Sequence, residues 1–402
     1  GLRRRARTRR SEQRHSPVHP AARGGSTMKI AFIGARGVVG KYSGIETYYE
    51  EVGSRLVALG HQVTVYCRSY FTPPLTHYRG IRVRRFPTFR SKHFETLVHS
   101  AISTADALFR DYDVVQFHAL GSAPLAMVPR LAGKKTVVSV RGLDGRRAKW
   151  GMGAKAYLTL CEWASVHCPT ATSVVSRELR DYYQRAYAEE TTYIPNGVTL
   201  TERPGRSALA AFGLRGHDYI LYVGRLTPEK DCHVLIEAFE ALDTPMKLVF
   251  AGGSSYADEY VARLRHHASD RVLFLGFQTG EPLEALFAHA YCYVLPSRIE
   301  GLSISLLEAM GWGTCVLTSD IPENREAVDG CGYTFRTGDV TDLRRMLAHL
   351  LASPEIVARA GRAARARIER DFDWDTIALR TETMFKRVMG NPVAHGARAG
   401  QP

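Results

Sequence analysis

Glu300-Gly301-Leu302-Ser303-Ile304-Ser305-Leu306-Leu307-Glu308 sets two carboxylates eight residues apart, with a glycine, two serines and four apolar residues between them. An apolar run, residues 291–296, ends just before it. This pattern predicts a buried strand, then a loop carrying Glu300, Gly301 and Leu302, then a helix beginning near Ser303. Eight residues is a little over two helical turns, so Glu308 projects much as the helix start does. The free N–H groups of that helix end favour anions and hydrogen-bond acceptors. A loop carboxylate and a helix carboxylate beside them suit a polyhydroxylated ligand such as a sugar or a ribose. Taken alone, two such glutamates are more often a solvated loop residue and a surface helix residue, and the remainder of the chain decides between the readings.

Similar strand-then-glycine junctions recur on both sides of this stretch. Strands are expected at 219–223, 247–251, 272–274, 291–295 and 314–317, with helices between them. Another series is expected at 29–34, 61–66, 81–86, 114–118, 136–140, 171–175 and 192–194. Alternating strand and helix predicts parallel sheets with helices on both faces, and ligands at the carboxyl ends of the strands. Pro195-Asn196-Gly197 and the polar stretch to about His217 separate the two series. The expected organisation is a basic, disordered tail (1–27), a first Rossmann-like domain (28–198), a second (199–372), a helix at 373–390 and a disordered tail at 391–402. Met28 reads as a natural start.

After the first strand of the second series comes Gly224-Arg225-Leu226-Thr227-Pro228-Glu229-Lys230. Two cations beside a helix start make a phosphate or diphosphate site. Gly276 and Phe277 repeat the junction on the same edge. In the first series, Gly34, Gly37, Gly40 and Gly44 form a glycine-rich loop that can bring backbone N–H groups to a phosphate. It is not G-x-G-x-x-G, and no acid ends the second strand, which disfavours NAD. Ser43 and Glu46 have capping-box spacing. His118 and Arg141 sit at strand carboxyl ends, although a lone histidine there is more often structural. Asp111-Tyr112-Asp113 precedes its strand, so it reads as a turn rather than a metal motif.

The chain has 402 residues, is 45% hydrophobic, and carries a net charge of +14. The charge divides as +7 over residues 1–27, +10 over 28–198 and −3 over 199–402. The positive field thus belongs to the tail and first domain, and fits an anionic membrane surface or a lipid phosphate; a nucleic-acid partner is disfavoured. No apolar run is long enough to span a bilayer. The seven cysteines are scattered without C-x-x-C, which predicts reduced thiols and a cytoplasmic setting.

Taken in order, the glycine loop before Glu46, His118, Pro195-Asn196-Gly197-Val198, Gly224-Arg225 with Lys230, the 300–308 stretch and the helix after Phe372-Asp373-Trp374 resemble the retaining glycosyltransferases of family 4. The resemblance covers about residues 28–390 and implies the GT-B fold, with two Rossmann-like domains facing across a cleft and the last helix crossing back to the first. The segment Arg141-Gly-Leu-Asp144-Gly-Arg-Arg147-Ala-Lys-Trp150 is similar to bacterial rhamnosyl- and hexosyltransferases of surface-polysaccharide assembly. By the family's pattern Arg225 and Lys230 hold the diphosphate of a nucleotide sugar and Glu308 its ribose. Glu300, Gly301, Leu302 and Ser303 hold the sugar, and the base lies near Gly276 and Phe277. Gly44 approaches the phosphates, and His118 lies by the sugar. Arg141, Asp144, Arg147 and Trp150 would face a saccharide or lipid-linked saccharide acceptor. No cofactor and no metal are implied. Two departures stand out: Ser43 replaces a frequent second glycine, and Arg141 stands where many relatives have histidine. The resemblance leaves open an epimerase, a soluble small-acceptor transferase and a non-catalytic nucleotide-sugar-binding scaffold.

Overall fold

The computed structural model describes residues 26–40, 44–88, 95–143, 152–253 and 257–390. They form two sheets. The first has eight strands: β1 (Lys29–Ile33), β2 (Gln62–Arg68), β3 (His77–Tyr78), β4 (Ile81–Phe86), β5 (Val114–His118), β6 (Lys135–Val140), β7 (Ala171–Val174) and β8 (Thr192–Tyr193). Their order is β3-β4-β2-β1-β5-β6-β7-β8, parallel except for the β3–β4 edge pair. The second has β9 (Tyr219–Val223), β10 (Lys247–Ala251), β11 (Val272–Gly276), β12 (Cys292–Leu295), β13 (Cys315–Ser319) and β14 (Tyr333–Phe335), ordered β11-β10-β9-β12-β13-β14 and parallel throughout.

Central strands such as β1, β9 and β12 are apolar on both faces because helices cover both sides, and β5 is buried throughout although Gln116 and His118 share one of its faces. Ile30, Phe32, Val115, Phe117, Leu221 and Val294 are all fully buried. In each sheet the strand order reverses once, between β1 and β5 and between β9 and β12. Parallel connections that wind in opposite directions open a crevice at such a point, at the strands' carboxyl ends. The loops after β9 and β12, which carry Lys230 and Glu300, therefore meet at the second crevice. The glycine loop after β1 and His118 at the end of β5 meet at the first.

The final helix, Trp374–Val388, packs on the first sheet's Gly44–Ala58 helix. Asp373 caps it by accepting from Thr376 N at 3.0 Å. Thr381 Oγ1 meets Tyr48 Oη at 3.2 Å, and His61 Nε2 meets the Glu382 carboxylate at 3.0 Å. Gly197 permits this return: a Cβ there would lie 2.7 Å from the Trp374 ring. All seven cysteines are buried and free. Among the described residues no helix is long and apolar enough to cross a membrane.

Candidate active site

Lys230 and Glu300 form an ion pair between the loops after β9 and β12. Lys230 closes a 3-10 turn, Pro228–Lys230, and Asp231 then turns left-handed (φ 49°) to start the Cys232–Glu240 helix. The buried Asp231 carboxylate pairs with Arg298, and Arg298 N donates to the Glu229 carbonyl at 3.0 Å. Burial raises the Asp231 pKa, against the pull of Arg298. Two ion pairs thus lace the same two loops. The Asp231–Arg298 pair went unseen in the sequence, where 67 residues separate the partners.

Ser303 caps the Ile304–Gly311 helix, its Oγ accepting from Leu306 N at 3.4 Å. Glu308 stands half-buried in the second turn. Tyr293 Oη meets Ser305 Oγ at 2.9 Å. Burial first, then the nearby carboxylates of Glu300 and Glu308, push the Tyr293 hydroxyl far up, while Ser305 opposes. Both glutamates therefore lie near one buried hydroxyl. Arg225 is half-buried, and its guanidinium makes no hydrogen bond or ion pair with a described residue. The loops after β9 and β10 touch through glycine, since a Cβ on Gly252 would meet the Gly224 carbonyl oxygen at 2.0 Å. Gly276 ends β11 in a left-handed turn (φ 69°) and leaves Phe277 63% exposed.

The first domain's wall is built differently from the expectation. Three N–H groups of the glycine loop are occupied within the first domain. Arg36 N donates to Glu46 Oε1 (3.0 Å), Val38 N to Thr72 Oγ1 (3.2 Å) and Val39 N to Glu50 Oε1 (2.7 Å). These three N–H groups hold the loop to its own domain rather than facing a phosphate. Ser43 lies outside the described residues, as do Asp144, Arg147 and Trp150. Gly44 is placed against the second domain: a Cβ there would lie 3.1 Å from Ile304 Cδ1.

His118 is wholly buried, its ring 5.7 Å from Phe32, 5.0 Å from Tyr48 and 4.8 Å from Tyr49. Neither ring nitrogen has a hydrogen-bond partner among the described residues. Burial, then the Arg141 charge, hold its pKa well below the imidazole range, so the ring is neutral. Arg141 stacks its guanidinium 4.1 Å from the Tyr48 ring centroid. Its Nε donates to Ser139 Oγ at 3.1 Å and its Nη1 to Asn196 Oδ1 at 2.7 Å.

Contacts between the two walls among the described residues include the following four. A Cβ on Gly301 would lie 2.0 Å from the Arg141 carbonyl oxygen. Asn196 Nδ2 donates to the Leu302 carbonyl at 2.7 Å. Gly44 faces Ile304. The Glu326 carboxylate, on helix Pro322–Val328, accepts from Arg177 N at 2.9 and 2.8 Å and from Glu178 N at 3.3 Å. Asp111 and Asp113 lie at the other end of β5, engaged with the Lys29 side chain and backbone respectively. Among the described residues no group of three His, Cys, Asp or Glu is placed to hold a metal ion.

Residues 42–202 match the family model for Glycosyltransferase Family 4, and residues 212–367 the model for Glycosyl transferases group 1. The chain belongs to the family 4 glycosyltransferases and has the GT-B fold. It is 33% identical over 223 residues to a glycogen synthase of Mycobacterium tuberculosis, covering 54% of this chain and 53% of that protein. It is 28% identical over 189 residues to an O-antigen chain mannosyltransferase B of Escherichia coli, covering 44% and 48%. The matches thus span about half the length of these relatives. Sucrose-phosphate synthase from Thermosynechococcus elongatus superimposes with a TM-score of 0.78 at 23% identity, over 90% of this chain and 99% of that one.

Proposed function

We propose that this protein is a retaining glycosyltransferase that moves a sugar from a nucleotide-diphosphate sugar to an acceptor hydroxyl, in the assembly of a polysaccharide or glycolipid. The observation that carries the reading is the Lys230–Glu300 pair at the reversal between β9 and β12, beside the Ser303-capped helix and an Arg225 that pairs with none of the described residues. Glu300 pairs with the cation that a diphosphate would take.

On this reading Arg225 and Lys230 hold the diphosphate and Glu308 the ribose. Glu300 with the backbone of Gly301, Leu302 and Ser303 holds the donor sugar. Gly276 and the exposed Phe277 flank the base. Gly44 closes over the phosphates, and the neutral His118 borders the sugar from below. Arg141, with Asp144, Arg147 and Trp150, serves the acceptor, a saccharide or lipid-linked saccharide. Residues 28–198 form the acceptor domain, 199–372 the donor domain and 373–390 the crossover helix.

The bond from the anomeric carbon to the diphosphate breaks, and its electron pair stays on the phosphate oxygen. Arg225, Lys230 and the helix N–H groups stabilise that charge as it develops. The acceptor oxygen attacks the same face, and its proton passes to the leaving phosphate. Fixed cations supply the positive charge that a divalent metal supplies elsewhere, so turnover proceeds in chelator. The basic first domain places the enzyme at the cytoplasmic face of an anionic membrane. Incubation with a panel of nucleotide sugars and a lipid-linked glycan fraction tests this. One donor should give nucleoside diphosphate and a product of retained anomeric configuration by NMR; an inverted product rejects the mechanism.

A further inference from the structure

The Asn196 carboxamide makes two hydrogen bonds that leave the interdomain linker in opposite directions. Its Nδ2 donates to the Leu302 carbonyl at 2.7 Å, in the loop that carries Glu300. Its Oδ1 accepts from Arg141 Nη1 at 2.7 Å, at the end of β6. Asn196 is 5% exposed. A buried amide with both ends satisfied fixes its partners, and removing either end leaves a buried polar group unpaired.

The Leu302 carbonyl and the Ser303 N–H belong to one planar trans peptide and point in opposite directions. Holding one therefore aims the other. The N–H groups of Ser303 and Ile304 donate to no described residue. They are the free donors at the start of the helix beside Glu300.

We infer that Asn196 is a positioning residue for the donor sugar: through the Leu302 carbonyl it aims the Ser303 and Ile304 N–H groups at the sugar's hydroxyls, and through Arg141 it ties that aim to the docking of the first domain. The inference rests on the donor-site reading above. Asn196 itself touches neither sugar nor diphosphate. Arg225 and Lys230 lie on the loop after β9, to which Asn196 makes no hydrogen bond. Its influence therefore falls on the part of donor binding that depends on the sugar.

Calorimetric titration of UDP, GDP and ADP, and of their hexose-bearing forms, into wild type and Asn196→Asp tests this. The aspartate keeps the oxygen that faces Arg141 and sets a second oxygen against the Leu302 carbonyl. Affinity for the nucleoside diphosphate should stay within about two-fold of wild type, while affinity for the nucleotide sugar falls by about ten-fold or more. Equal losses for both ligands would mean a merely structural role and overturn the inference, as would two unchanged affinities. Arg141→Lys addresses the same relay from its other end and should show the same sugar-selective loss, so the inference stays testable if Asn196→Asp does not fold. A folded wild type that binds no nucleotide at all would overturn the donor-site reading and this inference together. A wild type that binds nucleotide sugar, with both variants matching it, overturns the inference alone.

Discussion

The Lys230 ammonium and the Glu300 carboxylate neutralise one another across the two loops of the donor-side reversal, with only 12% and 10% of their side chains exposed. On the proposed reading a diphosphate takes Lys230 away from Glu300, and a sugar then satisfies Glu300. Glu300→Gln removes the competitor while keeping the shape. The variant should bind nucleoside diphosphate several-fold more tightly, by titration, yet lose about 10²-fold or more in transfer rate. Weaker diphosphate binding in Glu300→Gln would contradict this account of the pair.

At Gly301 the two walls leave no room for a side chain. A methyl group on it would sit 2.0 Å from the Arg141 carbonyl oxygen, so the loop and the first domain must part. Gly301→Ala should cost about 1–3 kcal/mol of stability in the melting transition. It should also lower transfer by more than about ten-fold, because displaced groups misplace the donor. A fully active Gly301→Ala would place the transfer chemistry elsewhere.

Glu326 holds the first domain from the other side, its carboxylate on the N–H groups that begin the Arg177–Tyr187 helix. An anion at a helix start is stabilising by about 1 kcal/mol. Glu326→Ala should therefore raise the radius of gyration of the ligand-free protein in solution scattering. Addition of the nucleotide sugar should restore the wild-type value. An unchanged radius would show that Glu326 does not hold the cleft closed.

Much of this architecture is legible in the sequence. The runs at 81–86, 114–118, 219–223 and 247–251 coincide with strands because β-branched and aromatic residues fill them and glycines or polar turns bound them. The Arg177–Tyr187 helix is not legible, since only Leu179 and Tyr183 are buried and the stripe is too thin to stand out. β14 is three residues long, with only Phe335 buried. In the site, the Glu300–Glu308 spacing speaks for itself because it is local. The occupied N–H groups of the glycine loop do not, because Glu46, Glu50 and Thr72 become partners only on folding. Asn196 and Leu302 stand 106 residues apart, and nothing in either neighbourhood announces their bond.

Two buried imidazoles contribute to acid sensitivity. Burial and then Arg68 push His99 down to about 4, and burial and then Arg141 hold His118 well below its ordinary range. Both stay neutral in the fold while the unfolded chain takes up their protons near pH 6.5. Stability is therefore lost as pH falls from about 6.5 towards 4, by about 1.4 kcal/mol per pH unit for each imidazole. Denaturant melts of His99→Leu across this window should show a slope shallower by one such contribution. An unchanged slope would mean that His99 charges within the folded protein.

The most direct measurement is thermal stabilisation of wild type and Lys230→Ala by UDP, GDP, ADP and their sugars, in chelator. Binding at 100 times Kd adds about 2.7 kcal/mol, a clear shift in melting. Nucleotides of one base should stabilise wild type, and none should stabilise Lys230→Ala. A folded wild type that no nucleotide stabilises, or a Lys230→Ala variant stabilised as well as wild type, would contradict the donor site built on Lys230 and Glu300.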